Sequence, residues 1–240
     1  MKKLNKVFRQ VQRKVAIFDI DGTIFRSSLL VELTEALIHK GLFPKSAKKV
    51  YANSFKKWFN RQDSYEKYMN AVVRAFIQNI AGVRRDEFLK VAERVTAFHH
   101  HQVYRYTRDL VQTLKKKKYY ILAISNSPRE IVESFCRKEG FDKVYGRIYE
   151  VGKDGRFTGK VNYEELISDK SKILRRAAEK EGLTLRCSIG VGDTESDIAF
   201  LKMVEHPICF NPNKKLYQYG KRAGWEIVVE RKDVIYDAVL

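Results

Sequence analysis

Cysteine is scarce in this chain: Cys136, Cys187 and Cys209 are the three in 240 residues, far apart and without a CxxC pair. So sparse and odd a count excludes a disulfide-built scaffold and leads us to expect reduced thiols in a cytoplasmic protein. Long apolar runs are missing too. None approaches the roughly 20 residues that a membrane-crossing helix needs, so no membrane span is expected. The basic start MKKLNKVFRQVQRK is not followed by an apolar segment and does not read as a secretory signal. Internal repeats and low-complexity tracts are absent. Acidic residues are in deficit, 29 Asp and Glu against 47 Lys and Arg, a net charge of +18, which rules out a disordered acidic chain. With 44% hydrophobic residues, the chain can bury a real core as one domain with an insertion or as two small domains.

The positive balance attracts anions, whether nucleic acid, a membrane surface or phosphorylated small molecules. The lysines are scattered, however, and no nucleic-acid motif accompanies them, so a lysine-rich solvated surface is expected rather than a nucleic-acid site. The run at 115–118 follows Leu110, Val111 and Leu114 and reads as a last helical turn, where cations favour the negative end of the dipole. The better candidate for weak anionic-surface binding is the N-terminal set Lys2, Lys3, Lys6, Arg9, Arg13 and Lys14. The sequence specifies no oligomeric state.

What is present is a series of short, near-continuous apolar runs: VAIFDI at 15–20, YYILAIS at 119–125, CSIGVG at 187–192, PICF at 207–210 and WEIVV at 225–229. Runs of this kind suit strands buried on both faces of a parallel sheet. Helical patterns separate them, at 129–139 and 170–181, and a helix precedes the last strand. Strand alternating with helix predicts an α/β fold with a doubly wound, mostly parallel, Rossmann-like sheet. The interval 27–107 has no strand-like run. Leu29, Leu30, Leu33, Leu37 and Ile38 give a first helix there, the aromatic-rich stretch from Phe55 to Ile77 continues with helical spacing, and Phe88, Val91, Val95 and Phe98 give another. This predicts an all-helical insertion whose aromatics form its own core. The expected division is 1–26 and 108–240 for the α/β core, with 27–107 as the insertion. Four glycines within 144–161 predict a small hairpin, its turn near Asp154–Gly155.

Four motifs carry chemistry. Asp19-Ile20-Asp21-Gly22-Thr23 directly follows the first strand run, and sites in open α/β sheets form beyond the carboxyl ends of strands. Two carboxylates two residues apart, followed by glycine, can converge on one cation. One can attack phosphorus while the other gives and takes a proton. Four fixed residues arise by chance on the order of once per thousand chains of this length. Gly192-Asp193-Thr194-Glu195-Ser196-Asp197 places acids after a second strand: Asp193 could complete a hard-cation site and Asp197 could hydrogen-bond its ligands. Ser125-Asn126-Ser127 offers a hydroxyl and backbone amides that can hold a phosphate, or simply a helix cap. Lys170 opens a helix, a placement the dipole disfavours and a phosphate would explain; Lys172 is its local competitor.

In this order, over roughly residues 15–212, the four motifs resemble those of the haloacid dehalogenase superfamily. The helical insertion resembles that family's cap, and KSKILRRAAEKEG before Asp193 resembles the lysine helix of its phosphoserine phosphatase-like branch, which selects Lys170. The resemblance implies a Mg²⁺-dependent phosphatase acting on a small phosphorylated metabolite. Asp19 would be the nucleophile that forms an aspartyl-phosphate, and Asp21 the general acid and base. Ser125, Asn126 and Lys170 would bind the phosphoryl group. Asp19, Asp21 (through its carbonyl) and Asp193 would be Mg²⁺ ligands, with Asp197 supporting them.

The chain also departs from that branch. Where a glutamate is expected to bind a substrate ammonium, Ser28 stands, with Glu32 one helical turn later. Phosphoserine is therefore not the expected substrate. Arg61, Arg74 and Arg84 in the insertion could meet a second anionic group, although surface charge is the simpler reading of each. His99, His100 and His101, consecutive on a helix, point to different faces and do not form one metal site. Two other readings stay open at this point: phosphotransfer to an acceptor other than water by a similar site, and a basic anion- or nucleic-acid-binding protein that retains the fold.

Overall fold

The computed structural model describes residues 12–237. Lys2, Lys3, Lys6 and Arg9 of the basic N-terminal set lie outside the described residues. Arg13 and Lys14 open the first strand, where they lie over the rings of Tyr120 and Tyr119.

Strand β1 (Arg13–Phe18) leads into four helices, α1 (Leu29–His39), α2 (Lys49–Phe59), α3 (Tyr65–Ile80) and α4 (Arg85–His99), with a 3₁₀ turn at Lys45–Lys48. Next come α5 (Arg105–Lys116), β2 (Tyr120–Pro128), α6 (Arg129–Glu139), β3 (Lys143–Val151), β4 (Phe157–Asn162), α7 (Glu164–Ile167) and α8 (Lys170–Glu181). The chain continues through β5 (Leu183–Gly192), α9 (Ile198–Leu201), β6 (His206–Phe210), α10 (Lys214–Ala223), β7 (Glu226–Arg231) and β8 (Val234–Asp237). The eight strands form one sheet in the order β4-β3-β2-β1-β5-β6-β7-β8, parallel except for its antiparallel edge strands β4 and β8.

The apolar runs become strands because both of their faces are covered. Ala16 and Phe18 of β1 join α5, α6 and the inserted helices on one side. Val15 and Ile17 face α8, α9 and α10 on the other. Alternate residues of one strand thus serve two cores, which is why the runs carry no polar alternation. The fold is α/β and doubly wound with an inserted helical segment, as the pattern predicts. Two features differ from the sequence reading. Strand β5 begins at Leu183, ahead of the apolar run, and its pairing with β1 shifts register between Lys14 and Ala16; Cys187, at φ +56°, lies in this irregular stretch. The antiparallel β8 was not anticipated.

The insertion is tied to the sheet through the β3–β4 hairpin. The Gly82 amide donates to the Phe157 carbonyl (2.8 Å), the Phe157 amide to the Val83 carbonyl (3.0 Å) and the Arg85 amide to the Gly155 carbonyl (2.9 Å). Aromatic packing reinforces this seam. Phe76 of α3, fully buried, meets Phe43, Phe88 and Tyr149 of β3 with ring centroids 5.6, 6.3 and 5.2 Å away. The insertion's aromatics are not all interior: Phe59 and Phe98 are 69% and 79% exposed. Among the described residues, no helix is long and apolar enough to cross a membrane.

Because Phe76 joins helical insertion and sheet in one core, Phe76→Ala is predicted to lower unfolding stability by about 3–5 kcal/mol. Urea denaturation checks this; a loss below about 1 kcal/mol would mean that the two parts do not share a core.

Candidate active site

Phe18 of β1 lies level with Ala123 of β2 and Val191 of β5. The chain therefore leaves all three central strands at one end, where β1 has β2 on one side and β5 on the other. That is the switch point at which doubly wound sheets hold ligands. Asp19 begins the first of these loops, its amide donating to the Val191 carbonyl at 2.9 Å. Gly22 turns the loop at φ +79°, and a Cβ there would lie 2.1 Å from Asp193 Oδ2. Glycine is thus required both by the backbone and by the approach of the second acidic loop.

Lys170, first residue of α8, is buried at 3% exposure. Its Nζ donates to Asp19 Oδ1 at 2.6 Å and to Asp197 Oδ1 at 2.5 Å. Burial pulls the lysine's pKa down, but the two carboxylates outweigh burial and hold it above its ordinary value. Burial raises the Asp19 carboxyl to about 7, against the opposing pull of Lys170. The awkward position of a cation at a helix start is explained: the partners of Lys170 are these acids.

Asp193 is pushed well above the carboxylate range by burial and by the charges of Asp19 and Asp197. Its Oδ1 is buried without a hydrogen-bond partner. Carboxylate oxygens of Asp19, Asp193 and Asp197 lie within 4.8 Å of one another. An all-oxygen set with an orphaned oxygen fits a hard divalent cation such as Mg²⁺. Asp197 is otherwise engaged: Oδ1 meets Lys170, and Oδ2 accepts the amides of Asp193 (3.0 Å) and Thr194 (3.1 Å). It braces the acidic loop, which leaves Asp19 and Asp193 as the side chains best disposed toward a cation.

Asp21 lies on the other side of Asp19 in sequence. Its Oδ1 accepts the Leu29 amide at 2.5 Å, and its Oδ2 accepts the hydroxyls of Ser125 (2.6 Å) and Ser127 (2.9 Å). Ser125 also accepts the Ser127 amide at 2.9 Å. These serines end strand β2 and do not cap α6, whose N-cap position is held by Pro128. Asn126 between them is exposed and lines the cavity.

A cavity of about 420 Å³ opens above Asp19, Asp21, Lys170 and Asp193, bounded by α3, β3 and the loop before α10. Ser28 lines it, whereas Glu32 is bound elsewhere, to the Ser27 hydroxyl (2.9 Å) and His99 Nε2 (3.4 Å). Arg61 and Arg74 are exposed and Arg84 pairs with Asp86; none of the three lines the cavity. Among the lining residues that escaped sequence reasoning are Ser127, as a partner of Asp21, and Arg147 of β3. Ser127 was visible in the SNS motif; Arg147 carried no motif at all.

Replacing Lys170 by methionine leaves Asp19 and Asp197 buried without their cation. Lys170→Met is predicted to cost roughly 3–5 kcal/mol in protein free of divalent cations. Asp19, already raised to about 7 by burial, loses the opposing pull of Lys170 and must hold a proton that the unfolded chain has released, so the variant loses further stability relative to wild type between pH 6 and pH 8. Denaturant melts at the two pH values test this, and a deficit that shrinks as pH rises would contradict it.

Residues 16–202 match the family model of haloacid dehalogenase-like hydrolases. The chain is 26% identical over 232 residues to a histidinol-phosphatase of Neisseria meningitidis, covering 90% of this chain and 98% of that one. It is 27% identical over 222 residues to an inhibition of morphological differentiation protein of Streptomyces azureus, covering 90% and 78%. A phospho-aspartyl intermediate analogue of phosphoserine phosphatase has the same fold, with a TM-score of 0.61 at 21% identity over 92% of this chain and 95% of that one. With the family model spanning most of its length, the chain belongs to the haloacid dehalogenase-like hydrolases.

Proposed function

We propose that this hydrolase cleaves a small phosphomonoester in two displacements at phosphorus, with residues 27–107 acting as a cap over the site. The observation that carries the reading is the buried Asp19–Lys170–Asp197 array beside the orphaned Asp193 oxygen, facing a cavity at the sheet's switch point. Asp19 attacks the phosphorus and the ester oxygen departs, leaving an aspartyl-phosphate. The phospho-aspartyl analogue described for a phosphoserine phosphatase of the same fold supports this assignment. Water then attacks the phosphorus and frees the Asp19 carboxylate and inorganic phosphate.

Asp21 hands a proton to the departing oxygen and takes one from the attacking water. Its hydrogen bonds fit this task. Ser125 now donates to Asp21 Oδ2, and an incoming phosphoryl oxygen competes for that hydroxyl. Once Ser125 turns to the phosphoryl group, Oδ2 keeps only the Ser127 hydroxyl and has a lone pair free to carry a proton. Lys170 neutralises the approach of one anion to another, with Asn126 at the cavity mouth as a further donor. Asp19, Asp193 and the Asp21 carbonyl would hold Mg²⁺, which when bound adds positive charge against the phosphoryl oxygens.

Hydrolysis of an aryl phosphate is predicted to need Mg²⁺, to stop on chelation, and to fall at least about a thousandfold in Asp19→Asn. An Asp19→Asn variant as active as wild type would remove the nucleophile assignment. Asp21→Asn is predicted to spare the first displacement on aryl phosphates, whose leaving group needs little protonation, to slow that displacement on alkyl phosphates roughly a hundredfold or more, and to slow the aspartyl-phosphate hydrolysis common to both. Rapid-quench measurement of the first displacement on the two ester types checks this; equal losses in that displacement would assign Asp21 a different task.

A further inference from the structure

The cavity also has apolar lining residues, Leu30, Tyr65, Met69 and Val73. Its charged groups decide what kind of leaving group it accepts. Glu66 and Glu195 are both drawn to Lys215, at 2.7 and 3.0 Å, and Glu195 also accepts from the Asn213 amide group. Ser28 carries no charge. Outside the aspartate cluster, the described lining residues therefore offer no unpaired carboxylate to a substrate ammonium.

Arg147 is different. Its neighbour Gly146 lies hard against the turn from β2 into α6: a Cβ there would come within 2.6 Å of Arg129 Cα and 3.1 Å of the Ser127 carbonyl. Alternation along β3 then sets Arg147 and Tyr149 on the other face, and both line the cavity. The guanidinium hydrogen-bonds Tyr149, yet its Nε is buried with no partner. Glu130, whose charge also reaches Tyr149, meets Arg85 through Oε1 at 3.7 Å, while its Oε2 is buried without a hydrogen-bond partner; neither oxygen bonds the Arg147 Nε. A guanidinium has five donors in a planar fork that suits carboxylate and phosphate oxygens. A buried donor left unused is satisfied when an acceptor enters.

We propose that Arg147 is a specificity residue, binding a second anionic group on the leaving-group side of the substrate, and that the site selects against ammonium-bearing esters. This rests on the phosphomonoester reading above and names its substrate class: a small phosphate ester that also carries a carboxylate or a second phosphate, joined by a short apolar spacer.

The test compares kcat/KM for three esters of similar size: phosphoglycolate, propane-1,3-diol bisphosphate and phosphoethanolamine. Wild type is expected to favour at least one acidic ester over phosphoethanolamine by roughly tenfold or more, and the preferred ester tells carboxylate from phosphate. Arg147→Met should collapse that ratio, and Arg147→Glu should move it toward phosphoethanolamine. Calorimetric binding of the same esters to Asp19→Asn, with and without Arg147→Met, gives a readout free of turnover. If wild type shows no acidic preference, or if Arg147→Met weakens all three esters alike, the proposal is overturned while hydrolysis of the esters still upholds the phosphatase reading. If no ester is hydrolysed but acidic esters bind tighter through Arg147, the phosphatase reading falls and the assignment of Arg147 stands.

Discussion

One ammonium, Lys170 Nζ, lies 2.6 and 2.5 Å from two buried carboxylates, and the arrangement of the site depends on that contact. Asp19, Asp193 and Asp197 form a cluster that a single lysine does not neutralise. Uncompensated charge in a buried place costs several kcal/mol per ion. The protein relieves it by protonation, which is why the Asp19 carboxyl rises to about 7, and the orphaned oxygen of Asp193 offers a second relief in a divalent cation. The geometry is made possible by two glycines. A Cβ at Gly22 would strike Asp193, and one at Gly192 would lie 2.5 Å from Asp197 Cβ. Both acidic loops can therefore close on the end of β1.

The same physics orders the surroundings. Asp21 is held away from the lysine by three donors from two elements, so two carboxylates two residues apart live in unlike environments. That difference is what separates a nucleophile from a proton carrier. Across the mouth, Lys215 joins Glu66 on the helical insertion to Glu195 on the acidic loop, and hydrogen bonds from the hairpin fix the far side of the insertion. The cavity is thereby walled by elements distant in sequence. Around it, the net charge of +18 favours the arrival of anions, while the acids remain confined within.

Much of this was legible in the sequence because it follows from local rules. The five apolar runs became the central strands, since burial on both faces leaves a continuous signal. Asp19, Asp21, Ser125, Lys170, Asp193 and Asp197 converge because each sits at a strand end or helix start that the doubly wound order brings together. What escaped notice depends on long-range packing. Strand β8 is a short edge strand with an exposed valine and tyrosine, whose pattern resembles any surface segment. The bulged start of β5 depends on its partner, β1. Arg147 sits in a strand whose facing could be known only once Gly146 was seen against Arg129. The arginines of the insertion, Arg61, Arg74 and Arg84, face solvent or a neighbouring acid, in keeping with the simpler reading of each as surface charge.

The most direct test of the central claim is to find where the phosphoryl group rests during turnover. A running reaction would be quenched in acid and treated with borohydride, which reduces an acyl phosphate to the alcohol, and the peptides then mapped by mass spectrometry. The account predicts homoserine at position 19 and nowhere else. Homoserine at another aspartate, or an unmodified Asp19 in enzyme that is turning over with label elsewhere, would contradict it.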